Sequence, residues 1–190
     1  NYQHSLKAEN STVVINSGDF DATKYGHTNA MFNASENSTI TINGGNFKNI
    51  AGALGTFDPY IFTYEKNGKL IINGGTFHGG WRFNGETATT EINGGSFTVG
   101  FDGQSFNASS THKLTVCGGK FTSGTKLAEK LADVMPDGYK AVDNGDGTYT
   151  VKFPQESFDD LINNAGENAT VEIPAGTFTF PASKLKEGMT

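Results

Sequence analysis

Residues 40–47 read ITINGGNF, residues 70–77 read LIINGGTF and residues 90–97 read TEINGGSF. Two looser copies flank them, VVINSGDF at 13–20 and LTVCGGKF at 114–121. Aligned on the residue before the glycines (Asn16, Asn43, Asn73, Asn93 and Cys117), the copies fall 27, 30, 20 and 24 residues apart. Self-similarity at such a period marks a chain of stacked units, each unable to bury its apolar face alone. Within ITINGGNF, Ile40 and Ile42 alternate with Thr41, so a strand puts both isoleucines on one face. Asn-Gly-Gly is turn chemistry, and the following Phe points back inward. The spacing predicts an interior ladder of Phe20, Phe47, Phe77, Phe97 and Phe121, with a hydrogen-bonded asparagine column at the corner. A second phenylalanine precedes each of the last four copies at near-constant distance (Phe32, Phe62, Phe83 and Phe106), which predicts a second ladder. The connecting returns at 21–31, 48–61, 78–82 and 98–105 vary in length.

Composition agrees with an all-β chain. Of 190 residues 25 are Gly and 15 are Phe, and only 18% are charged. The net charge is −6 and Arg82 is the only arginine. Phosphate backbones are bound by clustered Lys and Arg, so neither nucleic acid nor an anionic membrane is an expected partner. No apolar run reaches the 18 residues of a spanning helix, and membrane insertion is not expected. The single cysteine, Cys117, excludes an intrachain disulfide. It stands in the asparagine column as a half-buried substitute, and no His lies at a matching position to make it a catalytic thiol. The abrupt start at NYQHSLKAEN leads us to expect a fragment with its targeting segments trimmed.

The I-N-G-G-x-F motif at 42–47, 72–77 and 92–97 resembles right-handed parallel β-helix proteins of pectate-lyase-like architecture. More narrowly, it resembles the Gly-rich repeats of bacterial cell-surface, adhesin-like proteins. The resemblance covers residues 5–121 and implies a β-helix solenoid and an extracellular or cell-surface location. It implies no one activity, since the fold hosts lyases, hydrolases, tailspikes and non-catalytic adhesins.

Three divisions are expected. Residues 1–124 are the parallel rungs. Residues 125–155 are a cap built of a helix over 125–135, with Leu127, Leu131 and Val134 on one face, and a β-hairpin over 139–151. The cap closes strand edges that would otherwise be exposed. Residues 156–190 are the start or remnant of a second β-helix. There Ser157 caps a helical turn, and TVEIPAGTF (170–178) forms a new strand and corner with Pro-Ala-Gly standing for Asn-Gly-Gly. Asp143, Asn144 and Asp146 read as turn residues rather than a calcium loop, whose oxygens alternate and end on a distal Glu.

Recognition is assigned to the variable returns, which gather on one side of stacked units. The candidate glycan-binding residues are Tyr25, Tyr60, Trp81, Arg82, Phe101 and Asp102, because aromatic faces stack on sugars while polar groups take hydroxyls. No catalytic residue, metal or cofactor is assigned. The reading is a non-catalytic surface segment, stalk or adhesin, whose partner is a polysaccharide or host glycan. The alternative is a polysaccharide lyase or glycoside hydrolase in which Asp19 or Asp21 converges with Asp58 or Asp102, since glycoside hydrolysis needs two placed carboxylates. A third reading is a spacer without a ligand. The Asn-x-Ser/Thr sequons at Asn10, Asn33, Asn37, Asn107 and Asn168 arise from composition and are given no role.

Overall fold

The computed structural model describes residues 4–21, 30–49, 60–64, 67–81, 87–98, 112–124, 126–166 and 169–181. In these the chain is mostly β, and its sheets are largely parallel. The strands are β1 (His4–Glu9), β2 (Thr12–Ile15), β3 (Asp19–Asp21), β4 (Ala30–Ser35), β5 (Thr39–Ile42), β6 (Asn46–Asn49), β7 (Tyr60–Tyr64) and β8 (Lys69–Ile72). They continue as β9 (Thr76–Trp81), β10 (Thr89–Ile92), β11 (Ser96–Phe97), β12 (Lys113–Val116) and β13 (Gly119–Thr122). Helix α1 (Lys126–Val134), strands β14 (Lys140–Asp143) and β15 (Thr148–Lys152), and helix α2 (Gln155–Asn164) follow.

The strand ahead of each Asn-Gly-Gly corner pairs in parallel with its counterpart in the next copy, giving a sheet in the order β12-β10-β8-β5-β2. Its registers align Ile15, Ile42, Ile72, Ile92 and Val116 as one column. All five are buried, because alternation sends every second side chain inward. The strand after the corner does the same, aligning Phe20, Phe47, Phe77, Phe97 and Phe121. Their rings stack face to face with centroids 4.9, 4.9, 5.0 and 4.9 Å apart and interplanar angles of 3° to 13°. That spacing equals the separation of neighbouring strands, about 4.8 Å, so the expected ladder forms without tilting the rings.

The corner explains its own sequence. Gly45 holds φ +120°, and its counterparts are also left-handed, which turns the chain between the two sheets. The glycine before it is required for a different reason. A Cβ on Gly44 would lie 2.9 Å from the Asn16 carbonyl oxygen, and one on Gly74 2.7 Å from that of Asn43. Gly94 and Gly118 face the carbonyls of Asn73 and Asn93 still more tightly. In every case the obstructing carbonyl belongs to the preceding copy. Ser17 fills this position in the first copy, whose strand β2 is the edge of its sheet.

The second phenylalanine column differs from expectation. Leu6, Phe32 and Phe62 are in register, and Phe32 is buried edge-on to Phe20 and Phe47. The residue opposite Phe62, however, is Trp81 and not Phe83. Strand β9 runs unbroken through the shortest return, and a register shift beside Tyr60 brings Trp81 to that position. Phe83 and Phe106 lie outside the described residues.

At the far end β15 pairs antiparallel with β13, and β14 with β15. Helix α1 buries Leu131 and packs Ala128 and Val134 against the core. The 143–147 turn is held by its own acids: the Asp143 carboxylate accepts the Gly145 N–H at 2.8 Å and the Asp146 carboxylate that of Thr148 at 3.1 Å. Helix α2 begins at Gln155 after Pro154, so Ser157 is a buried residue of the first turn rather than its cap. Proline fits here because a first-turn N–H has no helical partner to lose. The strand expected over 170–178 does not form: 169–181 contains no strand. Among the described residues this segment is clipped to α2. Phe178 stacks on Phe158 at 4.8 Å, and the Gln155 side-chain amide both donates to the Thr179 carbonyl (2.8 Å) and accepts its N–H (2.9 Å).

Candidate functional site

Parallel registry carries polar residues outward in columns as strictly as it carries apolar ones inward. The variable residue of each corner motif forms the first outer column: Asp19, Asn46, Thr76, Ser96 and Lys120. Asp21, Lys48 and His78 form the second, with Thr98 beside His78. Asn46 donates to the Asp19 carboxylate at 3.3 Å, and Thr98 donates to the Phe77 carbonyl at 3.2 Å. Lys120 pairs with Asp146 of the cap at 3.2 Å. The result is a half-exposed to exposed polar strip, acidic at the β3 end and basic at the β13 end.

Of the residues assigned to glycan binding, Tyr25, Arg82, Phe101 and Asp102 lie outside the described residues. Tyr60 opens β7 and Trp81 closes β9, and their backbones meet across the register as Tyr60 with Gly80 and Phe62 with Trp81. The two ends are therefore brought together at one place in the fold, beside the His78 column. Asp58 and Asp102 also lie outside the described residues, so the carboxylate pairing of the enzyme alternative has only Asp19 and Asp21 placed, both on β3. The polar outer column was readable in the x of I-N-G-G-x-F, where five successive residues are hydrophilic.

The corner asparagines form a continuous ladder. Asn43 donates its side-chain amide to Asn16 (2.8 Å), Asn73 to Asn43 (2.9 Å) and Asn93 to Asn73 (3.0 Å). Asn93 also donates to Glu91 at 3.1 Å. Cys117 continues the column, hydrogen-bonded by the Tyr139 hydroxyl. Burial pushes the Cys117 thiol up, the Tyr139 hydrogen bond opposes that rise, and the nearby Glu91 charge adds to it. A thiol held protonated is a poor nucleophile, which favours the structural reading of this residue.

His112 was not singled out by sequence reasoning. It occupies the position just before β12, where earlier copies carry Ser38, Gly68 and Ala88. Its Nε2 lies 3.3 Å from the Thr90 hydroxyl, and Thr90 is the one polar member of the column Val13, Ile40, Leu70, Thr90 and Leu114. Burial lowers the His112 pKa to about 4. The signal was present in the sequence as a threonine in an otherwise aliphatic column.

Among the described residues no His, Cys, Asp and Glu group has the geometry of a metal site, and no helix is long and apolar enough to cross a membrane. No protein-family model, curated protein or solved structure matches the chain.

Proposed function

We propose that this chain is a segment of a right-handed parallel β-helix from a bacterial surface protein, acting as a rigid stalk or adhesin. It binds a polysaccharide or host glycan through its variable returns and does not cleave it. The observation that carries this reading is the division of labour between columns. Ile, Phe, Asn and Gly columns are consumed in packing and corner closure, while the outer columns are polar. Evenly spaced donors and acceptors along one surface suit a repeating hydroxylated polymer. Two of the placed acids accept hydrogen bonds within the columns, Asp19 from Asn46 and Glu91 from Asn93.

The test is incubation of the chain with plant, mucin and bacterial-capsule polysaccharides, scored for retention and for new chain ends. Retention without new ends is the expected result. New chain ends would replace this reading with a lyase or hydrolase and direct mutagenesis to Asp19, Asp21, Asp58 and Asp102. No retention on any polymer would leave a spacer.

A further inference from the structure

The glycine that precedes each left-handed corner is obstructed only from the side of the preceding copy. A side chain at this position is therefore accommodated where this chain places no like rung behind it. Ser17 obeys this in the first copy. Ala175 is the other instance: Ile173-Pro174-Ala175-Gly176-Thr177-Phe178 aligns with Ile92-Asn93-Gly94-Gly95-Ser96-Phe97. Three further features of the tail resemble a rung, although 169–181 forms no strand. Phe178 stacks on Phe158 at 4.8 Å and 8°, matching the ring-to-ring geometry of the main ladder. Gln155 engages both backbone groups of Thr179, as a neighbouring strand would. A Cβ on Gly176 would meet the Phe178 ring, just as one on Gly45 would meet that of Phe47. Helix α2 thus stands in for a preceding rung. On the opposite side Ile173, whose counterpart Ile92 is fully buried, is 42% exposed, and Phe180 is 45% exposed.

We propose that residues 171–180 are the first rung of a separate stack, and that their open face is a docking site for an extended strand carrying I-x-G-G-x-F. The occupant is specified by the chain's own rung-to-rung interface. Its Ile and Phe continue the Ile173 and Phe178 columns, and its first glycine passes over the Pro174 carbonyl. Gly176 lies outside the left-handed range of its counterparts, so docking includes closing this corner. The inference rests on the stacked-coil part of the proposed function and is independent of glycan binding.

The experiment uses the full chain and a peptide copied from residues 90–98, TEINGGSFT, bearing a photoreactive group at its N-terminus. Cross-links are mapped by mass spectrometry. The expected result is labelling within 171–180, reduced roughly tenfold or more when the peptide carries Gly94→Ala, the size of effect an overpacked contact produces. Ile173→Asp in the chain, a change at an exposed position, should reduce labelling equally while the melting temperature holds. Labelling concentrated at residues 4–21, equal labelling by the alanine peptide, or none above background would overturn the proposal. Polysaccharide retention is unaffected by each of these outcomes, so the two readings fail separately.

Discussion

At the corner of each copy a single methyl group decides what can stack. Gly74→Ala places a carbon against the Asn43 carbonyl, and overpacking of this kind costs about 1–3 kcal/mol. Ser17→Gly should change stability by less than about 0.5 kcal/mol, since no copy of this chain lies behind β2. Chemical denaturation of the two variants checks the contrast; equal losses would refute the carbonyl argument. His112 adds a pH dependence. Its folded pKa is depressed to about 4 from an ordinary value of 6.5, so below pH 6.5 the unfolded chain binds a proton that the folded chain resists. Stability is full above that range and declines as pH falls from 6.5 to 4, by on the order of 2–3 kcal/mol. His112→Gln keeps a hydrogen-bonding partner for Thr90 without titrating, and its melting temperature should vary less with pH across the same interval. The half-buried place of Cys117 in the asparagine column was legible from the repeat. The hydrogen bond it shares with Tyr139 of the cap was not, because no local pattern encodes a partner from another element.

Among the elements, those built from identical residues were legible before any coordinates. Phe20, Phe47, Phe77, Phe97 and Phe121 form one stack because one residue type recurs at one point of the motif, and the asparagine column follows from the same repetition. The helix at 126–134 and the hairpin closed by Asp143 and Asp146 were legible from amphipathic spacing and turn chemistry. Legibility failed where lengths vary or a partner is needed. Phe83 looked equivalent to Phe62 by counting residues, yet the short return delivers Trp81 to that register. Residues 170–178 have the sequence of a strand, but a strand exists only by pairing, and α2 offers a side-chain amide instead. The residues proposed to bind glycan fall largely in returns whose course repetition does not dictate. Phe77→Ala, in the middle of the ladder, should cost about 3–5 kcal/mol in equilibrium unfolding; a loss under 1 would mean the rings stack without supporting the fold. Gln155→Ala should speed amide exchange at Thr179 and Phe180 while leaving exchange in β8 and β10 unchanged, and uniform acceleration would show that the tail is integral to the core.

For the molecule as a whole, each copy pairs mainly with the copies before and after it, so stability is a sum of nearest-neighbour terms rather than the property of one centre. Amide exchange should be slowest in β8 and β10, which have partners on both sides, and faster in β1, β2 and β3 at the uncovered edge. A flat profile from β2 to β12 would point to a single cooperative unit. The asparagine ladder has one more consequence at this scale, and it is electrical. Asn43, Asn73 and Asn93 all donate toward the lower-numbered neighbour, so the amide dipoles add head to tail as peptide dipoles do in a helix. The column has poles: amide hydrogens of Asn16 at one and the Asn93 oxygen at the other. The paired sheets thus acquire, along one corner, a permanent polarity running from Asn93 to Asn16.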